Sequence, residues 1–360
     1  MAVQTVSFRT GTTPAAEPHH VEDVIYVLAQ KEANVQGAAG TLFEGKTEEA
    51  FFGTGKLLAT GAGTSGIKSF LDDLFQTDDV DPWVYVMLFA DTENLTSIEA
   101  KMDLFENADR PPTILTGVGD MFAKVNSGAN AFSAWTTSYA ATPLATKMES
   151  MAEHYICRAY LPTGATTVAN AETWGSANTG ERVLGIFNPI DNKQPNAHWL
   201  NGLLIQTSDR GRGWGINGAR VFGGTSLLVP LSPDSSDVAT LDTDHVSSVV
   251  LDQGVMEIMG GEFHYQTADP ERFVNVARRM DYIKQRGKNF ARHNLLSSDY
   301  TLLRMARELN ENASAIVGSD GITRINYIGV SEVSDTRVFD LEVTMRVAAN
   351  TITIYTHLSV

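Results

Sequence analysis

Residues 142–161 read TPLATKMESMAEHYICRAYL, and this stretch decides the fold class. Pro143 fits the first turn of a helix, where a missing backbone N–H costs nothing. Apolar residues at helical spacing follow, and the chain then runs directly into the strand-like ICRAYL. Working outward, the same alternation continues on both sides. Upstream, VEDVIYVL (21–28), PWVYVMLFA (82–90) and PPTILTGVG (111–119) read as strands; TSGIKSFLDDLF (64–75) and TSIEAKMDLFENA (96–108) read as helices. Downstream, ERVLGIFNP (181–189) is a strand and NAHWLNGLLIQTSD (196–209) a helix. Strands alternating with helices predict a sheet with helices packed on it, an α/β (mixed α+β) chain.

The tract 225–244, TSLLVPLSPDSSDVATLDTD, is polar and carries two prolines, which suggests a connection between domains or a long surface loop. Two long helices are expected beyond it, over 270–293 and 298–317, followed by strands at 322–333, 337–348 and 351–360. The first ten residues alternate like a strand, and GTTPAAEPHH (11–20) reads as a linker. The expected division is an N-terminal arm (1–20), an outer α/β domain (21–235), an inner helix-plus-sheet domain (236–348) and a C-terminal strand arm (349–360).

The chain has 360 residues, 43% of them hydrophobic, and a formal charge of -16. A surface this acidic repels phosphate backbones, so nucleic acid is not an expected partner. The longest apolar run is WVYVMLFA, far short of a membrane span, and no secretory leader is expected from MAVQTVSFRT. The single cysteine, Cys157, excludes an internal disulfide and reads as a small buried residue.

Two nucleotide motifs need weighing. GTLFEGKT (40–47) satisfies G-x-x-x-x-G-K-[ST] through Gly40, Gly45, Lys46 and Thr47, which makes a P-loop protein the alternative reading. A working loop needs a buried strand before it, small residues within it and a durable helix after it. QKEANVQGAA precedes it, Leu42, Phe43 and Glu44 fill it, and Gly53 and Gly55 follow within two turns. A surface loop leading into a short helix fits better. Gly213, Gly215 and Gly218 in GWGING satisfy G-x-G-x-x-G, but with neither a strand before nor a helix after. The histidines are scattered and no G-x-S-x-G elbow occurs, so no catalytic, cofactor or metal residue is assigned and no enzymatic activity is expected.

Four segments resemble, in order, those of contractile phage tail sheath proteins. They are TPLATKMESMAEHYICRAYLPTG (142–164), NTGERVLGIFNPIDN (178–192), HWLNGLLIQTSDRGRGWGINGARVFGG (198–224) and DPERFVNVARRMDYIKQ (269–285). The last is the most specific: Phe273, Val274, Asn275, Val276 and the Arg278–Arg279 pair fall on that family's Phe-Ile-Asn-Val-x-Arg segment. The aromatic segment expected after the first long helix is replaced by RHNLLSS, and the Pro-Ala-Glu approach to the last strand by AANTI.

The resemblance implies a two-domain sheath subunit with terminal strand arms. Such a subunit polymerises as stacked rings around an inner tail tube and contracts to drive the tube through a host envelope during genome delivery. The implied partners are further copies of itself, the tube protein, and baseplate and tail terminator proteins. The implied place is the tail of a virion, assembled in the host cytoplasm, with no cofactor. Terminal strands would be donated to neighbours through Val3, Thr5, Val6 and Phe8 at one end and Ile352, Ile354, Thr356 and Leu358 at the other. From the residues alone, a local hairpin of the last strand with RVFDLEVTMRV through Ala348, Ala349 and Asn350 is equally open. Between 271 and 292, seven basic residues face only Glu271 and Asp281, a net of +5. Arg272, Arg279 and Arg286 recur every seven residues along one helix edge. They are candidates for contact with an acidic tube or neighbour, against a solvated or internally paired face.

Overall fold

The computed structural model describes residues 23–61, 65–77, 81–126, 129–178, 180–188, 195–208, 216–223, 226–260, 262–264, 270–294, 302–314, 322–333, 336–347 and 350–359. In chain order the first elements are β1 (Val24–Gln30), β2 (Leu42–Gly45), α1 (Gly66–Leu74), β3 (Trp83–Phe89) and α2 (Leu95–Asp103). Next come β4 (Ile114–Val118), the short β5 (Lys124–Val125) and β6 (Thr136–Thr137), α3 (Pro143–Tyr155) and β7 (Arg158–Pro162). They lead to α4 (Val168–Ala177), β8 (Val183–Phe187), α5 (Pro195–Ser208), α6 (Ser236–Thr243), β9 (Val246–Asp252) and β10 (Val255–Met259). The chain continues with α7 (Val274–Asn294), α8 (Leu302–Ala313), β11 (Ile322–Val333), β12 (Thr336–Val347) and β13 (Asn350–Ser359).

The first sheet has eight strands in the order β10-β9-β8-β7-β4-β1-β3-β2. Its central strands, β3 through β9, are parallel, and β2 and β10 close the two edges antiparallel. Parallel strands are covered on both faces, which is why WVYVMLF and VLGIF read as unbroken apolar runs. Alternate residues feed two cores. Ile25, Val27, Val84 and Val86 meet Phe70 and Leu71 of α1 and Trp199 and Leu203 of α5. Tyr26, Leu28, Tyr85 and Met87 belong to the other core, with Met102 of α2, Met148 of α3, Trp174 of α4 and Leu241 of α6.

A second unit holds the third core. Val276, Met280 and Ile283 of α7 and Leu309 of α8 pack on Tyr327, Phe339, Leu341, Val343, Ile354 and Leu358 from the sheet β11-β12-β13. Strand periodicity accounts for the inward set: β12 contributes 339, 341, 343 and 345, and β13 contributes 354 and 358. The sheet lies so close to α7 at Gly287 that a Cβ there would stand 2.3 Å from the Tyr327 hydroxyl and 2.9 Å from Leu358 Cδ2.

Three expectations need correction. The tract 225–244 holds helix α6, whose N-terminus is closed by Ser235 accepting from Val238 N, and which buries Val238 and Leu241. Its serines and aspartates act as caps and exposed positions, which hid a short amphipathic pattern. The change of core therefore falls well after 235: β9 and β10 belong to the first sheet, and Phe263 still packs in its core. The segment 40–47 contains an edge strand, β2, paired with β3 from Leu42↔Met87 to Gly45↔Val84. A 3-10 turn over Glu48–Phe51 follows it.

Candidate functional site: the α7 joint and the terminal hairpin

A doubly wound sheet ordinarily takes ligands where its strand order reverses, outside the carboxyl ends of the strands. Here that point lies between β1 and β4, beside the N-terminus of α1. Two donors of that terminus are already matched: Gly66 N donates to Glu32 Oε1 at 2.8 Å, and Lys68 N donates to Ser65 Oγ at 3.1 Å. A carboxylate of the chain itself thus occupies the place an anion would take. Lys46 lies elsewhere, at the β2 edge, 3.7 Å from Asp81 Oδ2 and 5.4 Å from the centroid of Trp83. Gly45 serves packing, because a Cβ there would stand 2.6 Å from Ala50 Cβ. Gly213 and Gly215 lie outside the described residues. Gly218, at φ 79°, begins a stretch that runs along β10, donating its N–H to Ile258 O at 2.8 Å.

The chemistry of the chain is concentrated instead on α7, which crosses the N-terminal ends of the parallel strands. Arg158, at the start of β7, is completely buried. Its Nε donates to Asp281 Oδ2 at 2.5 Å, its Nη2 to Glu271 Oε2 at 3.2 Å and its Nη1 to Glu181 O at 3.1 Å. Arg182, just before β8, donates to the other Asp281 oxygen at 3.0 Å, and Lys284 reaches Glu271 at 3.1 Å. Three cations and two carboxylates therefore share one dry site, with the Arg158 guanidinium 4.9 Å from the centre of the Phe263 ring. Beside them Gln285 Nε2 donates to the carbonyls of Pro112, Tyr155 and Ile156, and Arg278 pairs with Asp23 at 2.5 Å. One helix is thus fastened to the entries of β1, β4, β7 and β8 while its apolar stripe carries the terminal sheet. Cys157 lies against this network, where burial raises its thiol pKa and keeps it protonated.

The basic run is largely spent inside the molecule. Arg278 and Lys284 are matched as above, and Arg272 sits 3.7 Å from Glu262 and over the Phe273 ring at 4.6 Å. Arg279 is only 8% exposed, and Arg286 donates to the Tyr282 hydroxyl at 3.0 Å. Arg272, Arg279 and Arg286 thus differ in exposure: Arg279 is buried and the other two are half-buried.

The terminal strands divide differently. Val3, Thr5, Val6 and Phe8 lie outside the described residues. Strand β13 pairs with β12 of its own chain through ten residues, from Val338↔Ser359 to Val347↔Asn350. Ile354 and Leu358 are buried in the third core, Thr356 is half-buried in the same register, and Ile352 stands opposite Met345. Within the single chain the local hairpin is the arrangement adopted. The outward face is polar: Tyr355 is 72% exposed and donates to Glu342 Oε1 at 3.3 Å, and His357 Nδ1 meets Asp340 Oδ1 at 3.0 Å.

No family model matches the sequence, and no curated protein matches it. Solved structures do. A chain of the anti-feeding prophage baseplate is similar at 13% identity with a TM-score of 0.63, over 100% of this chain and 96% of that one. The anti-feeding prophage helical sheath in its contracted state is similar at 11% identity and TM-score 0.57, over 100% and 96%. The sheath tail protein Lin1278 from Listeria innocua is similar at 11% identity and TM-score 0.58, over 94% and 95%. The chain has the contractile sheath fold.

Within that fold, the residues that sequence reasoning missed are the buried partners on and around α7. Arg158 carried a readable signal, an arginine inside the apolar run ICRAYL, which folds only if its charge is matched. Arg278, Asp281 and Gln285 share a helix face at i, i+3 and i+7, opposite the apolar stripe of Val276, Met280 and Ile283. Which strand ends they reach depends on the crossing of α7 over the sheath-fold sheet, and no spacing encodes that.

Proposed function

We propose that the chain is a tail sheath subunit, a structural and mechanical protein that polymerises helically around an inner tail tube and contracts to drive the tube through a host envelope. The observation that carries this is likeness over the full chain, terminal hairpin included, to a subunit of a contracted helical sheath. The α7 joint suits the task. Side chains of one helix tie the unit that carries the terminal sheet to the strand entries of the eight-stranded sheet, a path along which force on the terminal sheet can pass.

The partners are further copies of the chain in stacked rings, a tube protein, a baseplate and a tail terminator. The setting is the tail of a virion or tail-like particle assembled in the host cytoplasm, and the work is delivery of a genome. The unit of α7, α8 and the terminal sheet faces the tube, and strand arms link neighbours. Arg272, Arg279 and Arg286 are the candidates for contact with the tube or a neighbour, Arg272 and Arg286 being half-buried in the single chain. Energy for contraction is stored in subunit contacts at assembly, with no nucleotide consumed. Sedimentation velocity tests the assembly directly: raising the protein concentration without nucleotide or magnesium is expected to convert monomers to very large species. A monomer that persists at high concentration contradicts the proposal.

A further inference from the structure

The connection from β10 to α7 is fastened to the first sheet at the corner where α6 turns into β9. Gly260, at φ 76°, passes so close to that corner that a Cβ would stand 3.1 Å from Asp242 Oδ1 and 3.3 Å from Val246 O. His245, itself at φ 57°, donates from Nδ1 to Glu262 O at 3.2 Å. The exposed ring of His264 meets the His245 ring edge to face, with centroids 4.6 Å apart. Between these two contacts Phe263 is fully buried against the Arg158 guanidinium, and its N–H donates to Arg272 O at 2.7 Å. The residue that anchors the connection thus touches the arginine that fastens α7. A carbonyl oxygen only accepts, so Nδ1 of His245 carries a proton and Nε2 is the nitrogen that titrates.

We propose that His245, His264 and Glu262 form an acid-sensitive clasp, which holds the β10–α7 connection to the α6–β9 corner at neutral pH and loosens it in mild acid. Once charged, His245 is a half-buried cation beside a second imidazole, and parting residues 262–264 from the corner returns it to water. Burial lowers the His245 pKa and His264 adds to the effect, while the Glu262 carbonyl, Asp242 and Asp244 oppose it. Arg272 lies 3.7 Å from Glu262, and α4 contributes the Ser176 hydroxyl, which donates to Asp244 at 3.1 Å. The folded chain holds the His245 proton less tightly than the unfolded one. Its stabilisation is therefore whole above about pH 6.5 and is lost as pH falls below that value. Burial raises the carboxyls of Asp242 and Glu262, which has the opposite sign: their contribution weakens the corner as pH rises out of the carboxylate range. The clasp works within one subunit and goes beyond the sheath reading.

Hydrogen exchange of the free subunit tests the clasp, with rates corrected for the intrinsic effect of pH. Lowering the pH from about 7 to about 5.5 is expected to cost protection at the Phe263 amide and to leave β1, β3 and β4 as they were. His245→Asn is the matched control. Asparagine tolerates the left-handed backbone, keeps an N–H to offer the Glu262 carbonyl and takes no proton. In that variant protection at Phe263 is expected not to fall over the same range, since the remaining contribution of Asp242 and Glu262 has the opposite sign. Nitrogen-15 spectra of labelled histidine in the parent give a second readout, with His245 protonated on Nδ1 alone at neutral pH. Exchange at Phe263 that does not change with pH in the parent overturns the clasp. An equal loss of protection in His245→Asn overturns it too, as does a neutral His245 that carries its proton on Nε2.

Discussion

Arg158→Met is expected to destabilise the subunit by about 3–5 kcal/mol, the usual cost of removing one partner from a buried ionic site. Methionine fills much of the space, so the loss is electrostatic in origin. Asp281 loses one of its cations and keeps Arg182, Glu271 loses one and keeps Lys284, and both carboxylates stay out of water. The substitution also loosens the hold of α7 on the entry of β7, leaving Gln285 on the carbonyls of Tyr155 and Ile156, so the two halves of the molecule should unfold in separate steps. Chemical denaturation followed by circular dichroism and by tryptophan fluorescence measures both effects: coincident transitions for the parent, separated ones for the variant. Arg307→Met, at an exposed pair with Glu311, is the control and should leave the transition where it was. A loss below about 1 kcal/mol for Arg158→Met would mean that the network is incidental to stability.

Leu358→Ala is expected to have the second large effect, about 2–5 kcal/mol, because it empties a socket of the third core beside Gly287. The cost should fall on the terminal unit alone. Hydrogen exchange is expected to quicken in β11, β12, β13 and α8, with protection in β1, β3 and β4 unchanged. Tyr355→Ala, three positions away on the outward face, removes an exposed ring and one hydrogen bond and should change little. Faster exchange spread through the whole chain would show instead that the third core folds as one unit with the first two.

The sequence was most legible where burial is complete. Parallel strands such as β3 and β8 are covered on both faces and announce themselves as apolar runs, and α3 is framed by Pro143 and the strand that follows. The long helices and closing strands were readable from period alone. Edge and cap elements were not: β2 hides in a glycine-bounded motif, and α6 is written mostly in serine, threonine and aspartate, which also write loops. The candidate site was legible only as charge. The run from Arg272 to Arg286 showed its excess of cations, but Asp23 and Glu262, which meet Arg278 and Arg272, lie outside it and are brought near by tertiary packing. Hairpin pairing of β13 was one of two open readings, since its alternating pattern serves a strand of this chain and a strand lent to a neighbour equally well.

The central claim, that this chain builds a nucleotide-independent contractile sheath, is tested most directly by cryo-electron microscopy of the concentrated protein. The account predicts hollow helical cylinders formed without nucleotide, with the terminal sheets lining the lumen. Cylinders with the terminal sheets on the outer surface, or a field of discrete monomers, would contradict it.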